Sequence, residues 1–284
     1  MSHKRIFCWM AACGVLVLAP RQGLTAAENI DPANDGSQYA WAENVGWLNA
    51  EPSGDGGPGV QVKDFYLTGW MWGENIGWIS LSCKNTDTCK TNPYGVANTC
   101  AGAPSGYAWA ENIGWINFDP ISSGVTVSPV TGEFQGYAWG ENIGWVSFNC
   151  ANTASCATAS YLTKTSWTPS TTAPASIPST LGAPGGTNKL LCWDDVADGY
   201  DIIRGDLEVL LSTGGDFTVA TEECVGDNQA MTFIPLDDRP PAGEGFWYLV
   251  RSANCGGAGS YNSGSPSQMG DRDSEINASS NSCP

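Results

Sequence analysis

The chain has 284 residues, with 12 Lys and Arg against 29 Asp and Glu, a formal net charge of −17, and a single histidine. An acid excess of that size argues against nucleic acid and anionic membrane surfaces as partners, since both are recognised through clustered basic side chains. It favours solubility and leaves divalent cations as candidate ligands.

The chain opens with His3-Lys4-Arg5, an apolar run from Ile6 to Ala19, and a small-residue stretch Leu24-Thr25-Ala26-Ala27. A charged end, a hydrophobic middle and small residues at a cut site are the layout of a secretory signal peptide, here assigned to 1–27. The apolar run is shorter than the roughly 20 residues that span a bilayer, and no membrane span is expected. Cleavage removes the only histidine, so His-dependent triads and His-ligated metal sites are excluded from the mature chain. Lys4, Arg5 and Arg21 leave as well, so 12 − 3 = 9 basic residues face 29 acidic ones. Eleven cysteines less Cys8 and Cys13 leave nine, which an exported chain keeps largely oxidised.

Residues 28–163 carry a repeat. Four segments share one pattern: Tyr39-Ala-Trp-Ala-Glu-Asn-Val-Gly-Trp-Leu-Asn49, Trp70-Met-Trp-Gly-Glu-Asn-Ile-Gly-Trp-Ile-Ser80, Tyr107-Ala-Trp-Ala-Glu-Asn-Ile-Gly-Trp-Ile-Asn117 and Tyr137-Ala-Trp-Gly-Glu-Asn-Ile-Gly-Trp-Val-Ser147. Such self-similarity marks a repeat architecture. Each copy reads as a β-hairpin. In the third, a loop Ala110-Glu111-Asn112 with Asn112 left-handed predicts Trp109 opposite Ile113 and Tyr107 opposite Trp115. Alternation then places Tyr107, Trp109, Ile113 and Trp115 on a bulky face and Ala108 and Gly114 on a shallow one. The expected packing seats the indoles of one copy on the Ala/Gly floor of the next. A third strand precedes three of the hairpins, at 59–62, 94–97 and 124–127, while 160–163 follows the fourth. One repeat split between the two ends of a domain predicts ring closure. The fold class is therefore all-β, with four three-stranded units in a closed propeller- or prism-like arrangement; a stacked solenoid is the alternative.

The repeated pairs Glu43-Asn44, Glu74-Asn75, Glu111-Asn112 and Glu141-Asn142 are the candidate site, a rim able to bind Ca²⁺ or hydrogen-bond a sugar. Against this stands turn chemistry, which by itself calls for Asn and Glu. The tryptophans divide likewise between sugar-stacking platforms and an interlocking core, and the patterning favours the core. Equal spacing at equal positions predicts the disulfides Cys83–Cys89 and Cys150–Cys156 and leaves Cys100 over. Fourfold-equivalent acids argue against a glycosidase, whose two carboxylates need different environments. The more irregular acids Asp194, Asp195, Asp198 and Asp201 read as loop residues.

Residues 164–187, with prolines at 169, 174, 178 and 184, read as a semi-extended linker. From 188 to 284 strands are predicted at 189–193, 200–204, 230–234 and 246–251, a span suited to a β-sandwich. The segment Leu191-Cys-Trp-Asp-Asp-Val-Ala-Asp-Gly-Tyr-Asp-Ile-Ile-Arg-Gly-Asp206, followed by Tyr248-Leu-Val-Arg-Ser-Ala-Asn254 and Gly259-Ser-Tyr261, resembles the fibronectin type III-like modules of exported bacterial proteins. The Glu-Asn-Ile-Gly-Trp repeats are similar to those of secreted bacterial surface proteins. The first resemblance implies core roles for Trp193 and Tyr248. It also makes Arg204-Gly205-Asp206 a strand-end turn rather than an integrin motif. Four cysteines in this half allow three pairings; Cys224–Cys255 with Cys192–Cys283 is favoured. The expected protein is secreted or cell-surface, structural or adhesive, without catalytic activity or cofactor. The alternative is a carbohydrate- or calcium-binding module, with an extracellular protein or glycan as partner.

Overall fold

The computed structural model describes residues 28–52, 59–178, 190–236, 240–268 and 270–284. The expected signal peptide and residues 179–187 of the expected linker lie outside them. The described residues are predominantly β and fall into two compact units, divided between Pro169 and Ser170.

Each repeat is a hairpin: Tyr39–Ala42 with Gly46–Asn49 (hairpin 1), Trp70–Gly73 with Gly77–Ser80 (hairpin 2), Ser105–Ala110 with Gly114–Asn117 (hairpin 3), and Tyr137–Gly140 with Gly144–Ser147 (hairpin 4). In hairpin 3 the Ile113 amide donates to the Ala110 carbonyl at 3.4 Å, and Gly114 follows at φ +81°. The other copies repeat this, with φ +87° at Gly46, +79° at Gly77 and +73° at Gly144. A type I turn followed by a left-handed residue makes a three-residue loop with a bulge. The expectation that Asn112 is the left-handed residue is thus corrected. Glycine takes that conformation because it has no Cβ to clash there. The register changes accordingly, pairing Trp109 with Trp115, Ala108 with Ile116 and Ala110 with Gly114.

The hairpins pair edge to edge. Leu48 faces Gly73 between hairpins 1 and 2, Ile79 faces Ala110 between 2 and 3, Ile116 faces Gly140 between 3 and 4, and Val146 faces Ala42 between 4 and 1. Eight antiparallel strands therefore close into a barrel-like sheet, and no hairpin is left with an unpaired edge. Closure was expected; separate propeller or prism units were not what formed, since neighbouring hairpins share backbone ladders.

The facing of the strands overturns the expected core. Ala40, Ala42, Leu48, Met71, Ile79, Ala108, Ala110, Ile116, Ala138 and Val146 are buried inside, and Ile76, Ile113 and Ile143 join them from the turns. The indoles stand on the outer wall. Eight strands enclose a lumen just wide enough for side chains, so small residues on the inner face set the choice. Gly73 illustrates the limit, since a Cβ there would lie 2.7 Å from Ile76 Cγ1 and 2.8 Å from Leu48 Cδ2.

Short strands at Gln61–Val62, Val96–Ala97 and Thr126–Val127 occupy the three expected segments. Each pairs with the stretch leading into the next hairpin, across a glycine kink. At these kinks a Cβ on Gly69, Gly106 or Gly136 would lie 1.9, 2.5 or 2.0 Å from the carbonyl oxygen of Gly59, Gly95 or Gly124. The returning chain lies between the fourth and first hairpins: Leu162 bridges Asn149, Thr163 bridges Gln38, and Thr163 Oγ1 donates to the Tyr39 carbonyl at 3.0 Å. It continues past the expected boundary at 163. Thr165 bridges Ile30, and buried Trp167 donates its indole N–H to Asp64 Oδ1 at 2.9 Å. Residues 164–169 thus pack with the barrel.

The second unit holds a four-stranded antiparallel sheet in the order Thr221–Gln229, Gly199–Asp206, Phe246–Asn254, Gly257–Ala258, and a two-stranded sheet of Leu190–Cys192 with Phe233–Pro235. Three short helices, Leu207–Ser212, Phe217–Ala220 and Arg272–Ala278, were not anticipated. Leu191, Trp193, Tyr200, Ile202, Ile234 and Val250 form one cluster. Burial pushes the Tyr200 phenol up to about 12, although the Val196 and Ala197 amides donate to its oxygen at 2.6 and 2.9 Å. Arg204-Gly205-Asp206 ends the second strand of the sheet. Asp206 caps the following helix, accepting from the Glu208 and Val209 amides at 2.7 and 3.1 Å.

Disulfides Cys83–Cys89 and Cys150–Cys156 form in the barrel unit, and Cys100 is itself disulfide-bonded rather than left over. In the second unit Cys224 bonds to Cys283, which overturns the pairings Cys224–Cys255 and Cys192–Cys283. The reason is placement. Cys283 packs with Ile203, Tyr261 and Ile276 beside Cys224, whereas Cys192 is buried on the two-stranded sheet. Cys255 is also oxidised.

Candidate functional site: the outer wall of the barrel

Cross-strand register stacks two indoles on every hairpin. Trp41 and Trp47 have ring centroids 4.8 Å apart, Trp72 and Trp78 4.8 Å, Trp109 and Trp115 4.5 Å, and Trp139 and Trp145 4.8 Å. Tyr39, Trp70, Tyr107 and Tyr137 extend each pair at 5.9–6.3 Å. Edge-to-face pairs of this kind contribute about 0.5–1.5 kcal/mol each beyond burial. They hold the rings upright while leaving their faces accessible: Trp47 is 45% exposed, Trp115 47% and Tyr107 49%. Exposed aromatic surface of this kind is where interaction sites are sought.

Three grooves of about 830, 720 and 690 Å³ run along this wall between adjacent hairpins. They repeat one arrangement. The groove between hairpins 4 and 1 brings together Trp145, Trp41 and Glu43; that between 3 and 4, Trp115, Trp139 and Glu141; that between 1 and 2, Trp47, Trp72 and Glu74. Each sets the second-strand Trp of one hairpin beside the first-strand Trp and turn glutamate of the next. The same positions between hairpins 2 and 3 are Trp78, Trp109 and Glu111.

The turn asparagines tie the groove mouths. Asn44 Nδ2 donates to the Ile143 carbonyl at 3.2 Å, Asn75 to Val45 at 3.0 Å, Asn112 to Ile76 at 3.0 Å, and Asn142 to Ile113 at 3.0 Å. Four equivalent bonds thus circle one end of the barrel, each linking a turn to its neighbour. Among the described residues, no three His, Cys, Asp or Glu side chains come together in a way that could hold a metal ion. Glu43, Glu74, Glu111 and Glu141 are exposed at the turns.

Two groove residues escaped sequence reasoning. Tyr94 and Tyr161 each lie five positions after the second cysteine of a disulfide loop, and that shared spacing was the available signal. The backbone places them equivalently: the Cys83 and Cys150 amides donate to their carbonyls at 3.0 Å. Tyr94 packs on Trp115 at 5.5 Å and Tyr161 on Trp47 at 5.4 Å. Ser147, Thr153 and Ser155 add hydroxyls to the largest groove.

No protein-family model, no characterised protein and no solved structure matches the chain. Among the described residues no helix is long and apolar enough to cross a membrane.

Proposed function

We propose that this is an exported, non-catalytic adhesive protein whose barrel binds glycans along its outer wall. The observation that carries the reading is the pair of outward indoles in each groove, all exposed except the half-buried Trp72, with a carboxylate and hydroxyl or carboxamide groups at its edge. Indole faces stack on the C–H faces of sugar rings, and edge polar groups fix orientation. The grooves fall within the roughly 300–1,000 Å³ typical of small-ligand sites. Binding without hydrolysis follows from the acids. Glycosidases flank the scissile bond with two carboxyl groups about 5–9.5 Å apart, whereas each groove is lined by one glutamate.

Export is supported by the signal-peptide layout of 1–27 and by the disulfides, which persist in oxidising compartments. We read the second unit as a fibronectin type III-like spacer. Its two antiparallel sheets and buried Trp193 support that reading, while the helices Leu207–Ser212 and Phe217–Ala220 depart from it.

Affinity electrophoresis through gels containing soluble polysaccharides tests the function. At least one neutral β-linked polysaccharide should retard the protein. Trp41→Ala, which alters two grooves, should weaken retardation about tenfold or more, within the range of aromatic hot spots, while the variant still folds and melts only a few degrees lower for loss of its pair with Trp47. Mobility unaffected by every polysaccharide, or retardation unchanged in Trp41→Ala, would overturn the reading.

A further inference from the structure

Each groove carries a carboxylate in the same place, and no Lys, Arg or His lines any of the three. Among the described residues, the ion pairs of Arg204 with Glu222 and Glu223 and of Arg251 with Asp201 do not involve the turn glutamates. One of the turn carboxylates, Glu43, reaches towards the adjacent hairpin. Glu43 Oε2 lies 3.4 Å from where a Cβ on Gly144 of the adjacent hairpin would sit, and Asn44 Nδ2 lies 3.0 Å from the same point. A neutral sugar needs the indoles and a hydrogen-bonding edge, whereas the carboxylate beside two indoles in each of the three grooves adds a negative charge that a neutral sugar would not use.

Resting on the glycan reading above, we infer that the ligand is an amino-sugar glycan with free, protonated amines, its ammonium groups seated between the paired indoles and the turn glutamate. The negative face of an indole attracts a cation, and a carboxylate alongside adds charge attraction that water does not fully screen at a groove wall. The chain's net charge of −17 draws a polycationic ligand towards the wall and repels uronic- or sialic-acid polymers. Repetition around the barrel matches a polymer with an amine on every residue, since one chain in several grooves binds by avidity.

Titration calorimetry of the full chain distinguishes this inference from the reading beneath it. The probes are a β-1,4-linked N-acetylglucosamine hexamer and its fully de-N-acetylated counterpart, at a pH where the amines are protonated. The de-N-acetylated hexamer should bind about tenfold tighter at low salt, as cation–π and ion-pair contributions together imply, and the advantage should shrink as salt rises. The triple variant Glu43→Gln, Glu74→Gln, Glu141→Gln should bind the two hexamers equally, whereas Trp41→Ala should weaken both. Equal or weaker binding of the de-N-acetylated hexamer by the native chain would overturn the inference while leaving glycan binding intact. A preference that survives the triple Gln variant would overturn it too, by assigning selectivity to overall charge. If neither hexamer binds, the inference fails together with these ligands; retardation by another neutral polysaccharide would then separate the two claims.

Discussion

Two kinds of glycine carry the repeat, and they differ in what a methyl group would meet. Gly114 has φ +81° with nothing near its missing Cβ, while Gly136 has φ +79° with the Gly124 carbonyl oxygen 2.0 Å away. Gly114→Ala should therefore cost only the left-handed strain, about 1–2 kcal/mol. Gly136→Ala adds a backbone collision and should cost about 3 kcal/mol or more. Urea denaturation of the two variants checks the order. Asp31 gives the residue-scale prediction for pH. Burial alone would raise its pKa, but the Asp35 and Gly36 amides, at 2.9 Å each, and the Ser37 hydroxyl at 3.0 Å outweigh it and hold the carboxyl below its usual value. A depressed carboxyl stabilises the fold above its unfolded pKa of about 3.9, and that stability is lost as pH falls through the lower folded value. Asp31→Asn should thus flatten the loss of stability below about pH 4, as followed by thermal melts across pH.

At the scale of elements, the hairpins are joined by backbone ladders and by the ring of asparagine bonds. Asn112→Ala frees the Ile76 carbonyl and should cost about 1 kcal/mol. Asn112→Asp, which sets a carboxylate against that carbonyl, should cost more, about 1–3 kcal/mol. The disulfides rank by the loop they close. Cys150–Cys156 spans a separation of 6 and Cys224–Cys283 one of 59. Chain entropy predicts losses of about 2 and about 4 kcal/mol on replacement of each pair by serine. Equal losses in guanidinium denaturation would show that strain or residual structure, rather than loop closure, sets their contributions.

The whole molecule shows how much of this was legible beforehand. The four hairpins, their ring closure and the two short disulfide loops follow from self-similarity, because identical segments adopt identical turns. Which face points inward does not. Alternation separates Tyr107, Trp109 and Trp115 from Ala108, Ala110 and Ile116, but the sign of the pattern depends on the lumen, which admits only the smaller face. The ordinary expectation that the largest apolar side chains form the core fails here for that reason. At the candidate site, the asparagines of the Glu-Asn pairs link neighbouring turns, and the indoles, expected inside, line the grooves of the outer wall. In the second unit Thr221–Gln229 was missed because its sequence, Thr-Glu-Glu-Cys-Val-Gly-Asp-Asn-Gln, has little apolar alternation. An edge strand needs little, since it is paired on one side only.

Intrinsic tryptophan fluorescence during a glycan titration tests whether the outward indoles are ligand platforms. The native chain should give a saturable shift with an oligosaccharide that retards it in gels, and Trp41→Ala should lose most of the affinity while still melting cooperatively, a few degrees below the native protein. A native chain whose emission ignores every glycan that binds it, or a Trp41→Ala variant with full affinity, would contradict the claim and assign the aromatic wall to packing alone.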